Sequence, residues 1–474
     1  MRSTKNARRA LALTAALLAG AALTGCTVAG EAAEAGAERV VVGYQSKTIN
    51  TVTAGTLLRA QGFFEKRLAE LGKGTGKKYA VTWQDYDTGA PITAQMMAGK
   101  IDIGSMGDYP LLINGARGQQ SPQTRTKLVA ITGYNLRGAL NTVVVAPNSP
   151  VRSLRDLKGK VVSASAGSAG HGLLVQALRK TGLDPEKDVK VENQQPPVGA
   201  SALQSGNVAA LSQFVAWPGL LVHQGNARVL YDGGELGVPT LHGTVVREGY
   251  ATANRDVVKA FLQAQIDASR LLWSRPLAAA RIVAEATGLP PEVVYLYNGP
   301  NGIATFDPTV KPQLRAALEQ DVPFLKSIGV LQGIDLAAFV DDSYLREVYG
   351  ADHDTDLAST ANRAALTGTD PVCRTPVGNP ALAGELWVGD RTQPAADPTC
   401  LLRAVKAAQA AGQQVRAAYV PDAGTGTRWF ADKSVWVRDG AAFRPFLGAA
   451  AAQRYVAAHP GATVLAYAEA VRAA

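Results

Sequence analysis

Between Arg39 and Tyr250 the chain alternates short β-rich runs with segments of helical period, and it does so twice. No other feature restricts the fold as much. Val40-Val41-Val42-Gly43-Tyr44 is a continuous apolar run, as a strand buried on both faces requires. Leu57, Leu58, Phe63, Phe64, Leu68 and Leu71 then recur at helical spacing, so a helix is expected over residues 53–71. Tyr79 to Trp83, Ile101 to Gly104 and Leu128 to Ile131 read as strands, and Pro91 to Ala98 and Tyr109 to Ala116 as helices. Strands separated by helices imply a parallel sheet with helices on both faces. The rhythm restarts with strands at Leu140 to Ala146, Lys160 to Ala164, Val189 to Val191, Val208 to Phe214 and Arg228 to Tyr231, and a helix from His171 to Lys180. Thr244 to Val246 reads as the strand that returns. The expectation is an α/β body of two lobes joined by two crossings, near residues 147 and 242. Lobe 1 would hold residues 39–146 and 243–350, and lobe 2 residues 147–242.

Residues 255–349 are mostly helical in pattern, with helices expected at 255–273, 276–286, 291–297, 308–328 and 336–349. Residues 351–370 are polar and poor in large apolar side chains, which suits a linker. Residues 371–474 read as a separate small α+β unit. A helix is expected there at 401–411, strands at 415–420, 427–430 and 435–437, and a last helix at 449–458.

Ligands of parallel α/β sheets gather at the carboxyl ends of the strands, beside helix N-termini. A helix N-terminus presents free N–H donors and a partial positive charge, so it holds anions. Three loops here end a strand and precede a helix: Gln45-Ser46-Lys47, Ser105-Met106-Gly107-Asp108, and Ser165 to His171. In the last, Gly167 and Gly170 permit close backbone approach around Ser168, Ala169 and His171. Ser168 reads equally as a plain N-cap. Asp108 reads as an N-cap to the Tyr109 helix; were it in the cleft, it would favour an amino group on the ligand. Tyr134 and Asn135 follow a strand and are candidates to line the cleft, or form an ordinary turn. Trp217 is a candidate pocket wall or a core aromatic.

The chain opens with Arg2, Lys5, Arg8 and Arg9, an apolar run from Ala10 to Leu23, and then Thr24-Gly25-Cys26. A charged head, a short apolar core and small residues before a cleavage point make a secretory signal. The run is too short to span a bilayer comfortably, which takes about 20 apolar residues. Cys26 at the cleavage point resembles the lipobox of bacterial lipoproteins. That implies a signal peptide over 1–25, a lipidated Cys26, a tether over 26–38, and a place on the extracytoplasmic face of the cell membrane. The formal charge of +9 falls to +5 without the four basic residues of the head, and no Lys/Arg block points to nucleic acid.

Residues 39–350 resemble the substrate-binding proteins of nitrate, taurine and alkanesulfonate ABC importers. The resemblance is carried by an ordered set: Val42-Gly43-Tyr44-Gln45, Ala98-Gly99-Lys100-Ile101-Asp102-Ile103-Gly104, Gly107-Asp108-Tyr109-Pro110, Ser149-Pro150-Val151 with Leu154-Arg155-Asp156-Leu157-Lys158-Gly159-Lys160, and Gly167-Ser168. It implies a two-lobe periplasmic-binding-protein fold of type II, a small anionic or zwitterionic solute in the inter-lobe cleft, and a permease and ATPase as partners. Together with the loops above, this makes the candidate ligand residues Gln45, Ser46, Met106, Gly107, Asp108, Tyr134, Asn135, Gly167, Ser168, Ala169, His171 and Trp217. The family places an acidic residue and Pro after its Trp, whereas this chain has Ala216-Trp217-Pro218. Sulfonate, taurine, nitrate and a pyrimidine all stay open as ligands.

Residues 371–474 resemble the NosL-type accessory lipoproteins that handle copper, through Pro371-Val372-Cys373, Asp397-Pro398-Thr399-Cys400-Leu401-Leu402 and Arg428-Trp429-Phe430-Ala431-Asp432. All four Met lie outside this unit, so the soft thioethers that suit Cu(I) are missing. With Cys26 lipidated, Cys373 and Cys400 are left as a disulfide, a two-Cys metal site or free thiols. A copper- or redox-linked accessory role is therefore the alternative to transport. An enzyme built on Ser168 and His171 is set aside, because Ala166-Gly167-Ser168-Ala169-Gly170 lacks the first Gly of a nucleophile elbow. No cofactor and no metal are expected.

Overall fold

The computed structural model describes residues 36–474. The signal peptide, the lipidated Cys26 and most of the tether lie outside the described residues.

Two five-stranded sheets form the body. The first takes β1 (Glu38–Tyr44), β2 (Tyr79–Asp85), β3 (Ile103–Gly107) and β4 (Thr126–Asn135). The second takes β5 (Asn141–Val145), β6 (Val161–Ala164), β7 (Lys190–Asn193), β8 (Ala210–Phe214) and β9 (Arg228–Asp232). The chain then returns as β10 (Thr240–Arg247) to the first sheet, whose order is β2-β1-β3-β10-β4; the second is ordered β7-β6-β8-β5-β9. β1 pairs parallel with β2 and β3, while β10 runs antiparallel between β3 and β4. The second sheet repeats the device, with parallel β7-β6-β8 and an antiparallel β5. Each sheet is thus mixed, not purely parallel. The strand that crosses between lobes enters its new sheet in reverse.

Sequence pattern explains these elements. Val40, Val41 and Val42 are all buried because helices cover both faces of β1. Edge strand β2 is half-buried along its length and more mixed in composition. The helix expected over 53–71 is three pieces: a 3-10 turn at Ile49–Ala54, then helices at Thr56–Ala60 and Phe63–Thr75. Gly62, in the left-handed region at φ 59°, separates the last two. The crossings fall at residues 136–140 and 233–239, so β5 lies in the second sheet and β10 in the first. This corrects the lobe boundaries read from sequence. An apolar run such as Asn141–Val145 suits either sheet, and only its pairing partner decides.

Residues 351–370 are not a bare linker. They carry a helix, His353–Ala358, in which His353 and Asp356 are buried. Lys311, itself fully buried, binds Asp307 Oδ2 at 2.9 Å and also the Asp356 carbonyl, which fixes this segment to the body.

The C-terminal part contains two antiparallel sheets. One is ordered β12 (Arg391–Ala395), β11 (Gly384–Val388), β13 (Val415–Pro421), β14 (Arg428–Phe430). The other is ordered β16 (Ala442–Phe446), β15 (Val435–Asp439), β17 (Thr463–Leu465). The helix Pro398–Ala410 is capped by Asp397 accepting the Cys400 N–H at 2.8 Å. Cys373 and Cys400 are joined as a disulfide. This part is not separate from the body. Trp387, Tyr419, Trp429 and Phe430 share one hydrophobic core with Leu221, Tyr295 and Tyr297. Buried Glu385 accepts from Tyr295 Oη at 2.8 Å and pairs with Arg428 at 2.7 Å. On the second lobe, Asp232 Oδ2 accepts from Thr425 and Thr427, each at 2.7 Å, and Arg454 pairs with Glu235 at 2.9 Å. The C-terminal part therefore touches both lobes.

Candidate functional site

A cleft of about 600 Å³, mouth included, opens between the two sheets. Its first wall is the carboxyl end of the first sheet: Gln45 after β1, Thr88-Gly89-Ala90 after β2, and Gly107 at the end of β3. Its second wall is the run Ser165 to Ala169 after β6, with Asn193 and Phe214 at the ends of β7 and β8. These are the strand ends at which ligands of such sheets collect.

Two helices from opposite lobes begin at this cleft. The helix Ala169–Lys180 is capped by Ser168, whose Oγ accepts the His171 N–H at 3.3 Å. Its first N–H groups, at Ala169 and Gly170, have no carbonyl within the helix. The helix Gly89–Met97 begins on the facing wall, and the buried Thr88 hydroxyl before it has no partner. Gly89 is required there: a Cβ would lie 2.7 Å from Pro110 Cβ. Gly167 sits at φ 76°, which favours glycine.

Among the described residues, the cleft lining contains no Lys, Arg, Asp or Glu. Its one ionisable side chain, His242, lies on β10 and is buried. Burial pushes its pKa down to about 3, so the ring is neutral at ordinary pH. Nδ1 faces Asn50 Nδ2 at 2.5 Å and accepts, which places the ring proton on Nε2. Nε2 lies against Gly107, where a Cβ would approach it to 3.0 Å. The site is thus a ring of uncharged donors: helix N–H groups, hydroxyls, amides and an imidazole N–H.

Of the residues expected from sequence, Gln45, Gly107, Gly167, Ser168 and Ala169 line this cleft. The others do not. The Ser46 N–H is spent on Asp85 Oδ1 at 2.8 Å. Met106 is buried, and its sulfur receives the Thr93 hydroxyl at 3.6 Å. Tyr134 is buried in the first lobe. Asn135 ties the crossing, accepting from Arg137 and Ala139 and donating to the Ile303 carbonyl at 2.8 Å. His171 opens on a separate surface groove with Val175 and Ile328, and burial lowers its pKa. Trp217 belongs to the hydrophobic core, with Lys47 Nζ 5.6 Å from its ring centroid. Asp108 is the first residue of its helix, and Gly107 is the cap. Its carboxylate accepts from Tyr109 at 2.8 Å and Leu241 at 3.1 Å and lines a smaller cavity behind the cleft. Burial raises it to about 7, and the nearby Asp321 to about 9. Thr88, Gly89, Asn193, Phe214 and His242 were not found from sequence. The Thr-Gly-Ala-Pro turn that opens a helix was the available signal for Thr88 and Gly89.

Residues 80–279 match the NMT1/THI5-like family model. An Escherichia coli (strain K12) protein named for binding aliphatic sulfonates is 29% identical over 266 residues, covering 56% of this chain and 77% of that protein. The taurine-binding periplasmic protein of the same organism is 31% identical over 199 residues, covering 41% of this chain and 58% of that protein. Among solved structures, the alkanesulfonate-binding protein SsuA from Xanthomonas axonopodis pv. citri, bound to MOPS, superposes with a TM-score of 0.54 at 25% identity. That match covers 64% of this chain and 98% of SsuA. The body has the two-lobe, type II periplasmic-binding-protein fold.

Proposed function

We propose that this chain is the extracytoplasmic, lipid-anchored substrate-binding component of an ABC importer for a small organosulfonate. Its partners are then a permease and an ATPase, and it performs no chemistry of its own. The observation that carries the reading is a cleft in which two helix N-termini from opposite lobes converge and no charged side chain intrudes. Helix N-termini hold anions through N–H groups and the dipole without a basic side chain. The named relatives bind sulfonates, which agrees. Phe214, Pro110 and Ala90 offer apolar contact to an alkyl tail. Asp108 is turned away from the cleft, so the lining offers no carboxylate to the ammonium of taurine. The geometry thus favours a plain alkanesulfonate over taurine.

The test is thermal unfolding of the purified protein against alkanesulfonates, taurine, nitrate and sulfate. A ligand of the native state at 100 times its Kd adds about 2.7 kcal/mol. An alkanesulfonate shift, reduced in His242→Leu, supports the reading; no shift with any sulfonate overturns it.

The sequence also offered copper or redox handling by the C-terminal part. A Cu(I) site needs free thiolates, and the two sulfurs there are bonded to each other. Asp370, beside them, spends its carboxylate on the N–H groups of Val372, Cys373 and Ala396.

A further inference from the structure

Behind the cleft lies a second cavity whose walls carry two acids and no base. It forms where the helices Asp108–Gly118 and Pro312–Ser327 of the first lobe meet the helix Ala169–Lys180 of the second, beside Asn141 and Thr240. Asp108 and Asp321 both line it and are 1% and 3% exposed; no Lys, Arg or His does so. Two backbone N–H groups compensate Asp108. Asp321 Oδ2 is buried with no hydrogen-bond partner. A second orphan lines the same cavity. Asn141, 3% exposed, donates its Nδ2 to Thr240 Oγ1 at 3.3 Å, and its Oδ1 has no partner. The space admits one water-sized body, about 20 Å³.

An ionised carboxylate with no donor and no cation is strongly unfavourable, so burial keeps Asp321 protonated up to about pH 9, and a cation bound here takes the place of that proton. Here the two unpaired atoms are both oxygens, Asp321 Oδ2 and Asn141 Oδ1, and Asp108, Tyr109 and Thr240 line the same cavity with further oxygens. No sulfur or imidazole is among them. An all-oxygen set of this charge suits a hard cation such as Ca²⁺ or Na⁺ and disfavours a softer metal.

We propose that this cavity binds one hard cation, held by Asp108, Asp321 and the Asn141 carbonyl oxygen. The site joins the lobes. Tyr109, next to Asp108, packs so closely on Gly172 of the second lobe that a Cβ there would lie 1.9 Å from its ring. Its hydroxyl also accepts from Gln176 Nε2 at 2.9 Å. Gly107, one residue before Asp108, lines the ligand cleft. A cation here therefore holds together the same lobes that a ligand closes upon, so each tightens the binding of the other. This coupling rests on the receptor reading; the cation site itself does not.

The experiment uses the purified chain, stripped with chelator and kept in a choline buffer at pH 8.5. CaCl2 and, separately, NaCl are titrated by calorimetry and by thermal unfolding, with no sulfonate present. One site per chain and a raised unfolding midpoint are expected with at least one of the two cations. Asp321→Asn keeps the side-chain volume and puts a neutral amide where a protonated acid stands, so it folds; it should bind that cation at least tenfold more weakly. Asn141→Ala should weaken binding as well, while leaving both acids in place. No response to either cation, or an undiminished response in Asp321→Asn, overturns the proposal. A cation response without any sulfonate response leaves the site standing and removes the receptor reading.

Discussion

The cleft and the seam between body and C-terminal part hold opposite kinds of polar contact. The cleft is lined by uncharged polar groups, of which the buried Thr88 hydroxyl has no partner. The seam is built from charge-assisted contacts: Arg428 with Glu385, Arg416 with Glu292 at 2.8 Å from Nε, and two threonine hydroxyls on Asp232. Aromatic rings fill the space between them, with Tyr295 against both Trp387 and Tyr419. An uncharged lining suits a solute that must enter and leave. Buried ion pairs resist separation, because parting them strands a charge. The difference assigns binding to the cleft and permanence to the seam.

The largest effect should come from breaking the seam. Arg428→Ala leaves Glu385 buried beside Tyr295 and should cost about 3–5 kcal/mol, read by denaturant unfolding. A small loss would mean that the C-terminal part is only loosely attached. Removing the disulfide by Cys373→Ala with Cys400→Ala should cost about 2–4 kcal/mol, since it frees a loop spanning 27 residues. Alkanesulfonate affinity should stay unchanged in that variant, because neither Cys lines the cleft.

His242→Leu should do the reverse, weakening alkanesulfonate by about 1.5–3 kcal/mol in a titration through loss of one donor to a charged group. Its pH signature also has a defined sign. In the fold, the ring protonates only near pH 3, whereas an unfolded His does so near 6.5. The unfolded chain therefore binds the extra proton as pH falls below 6.5. Stability from His242 is present above that value and is lost toward pH 3 at up to about 1.4 kcal/mol per unit. His242→Leu should flatten this part of the acid limb. Ser168→Ala, the mildest change, should cost about 1 kcal/mol through its lost helix cap.

The sequence showed the body's alternation because strands such as Val40–Val42 are buried on both faces and announce themselves as apolar runs. It hid the crossings because Asn141–Val145 is equally apolar in either sheet. β12, Arg391-Thr-Gln-Pro-Ala, was missed because it is an edge strand with a mainly polar sequence. At the site, Gly167 to Ala169 were legible, since glycine, a capping Ser and a helix start are local signals. His242 was not, because a lone His within a strand gains its meaning from Asn50 and Gly107, distant in sequence. Trp217 and Tyr134 were assigned to the cleft by resemblance but serve packing, which no local pattern distinguishes.

The central claim is that neutral donors in the inter-lobe cleft select a sulfonate. Calorimetric titration of the purified protein with an alkanesulfonate, with taurine as comparison, tests it directly. One alkanesulfonate per chain, bound more tightly than taurine and weakened at least tenfold in His242→Leu, is the predicted result. No alkanesulfonate binding at millimolar concentration, or binding indifferent to His242, would contradict it.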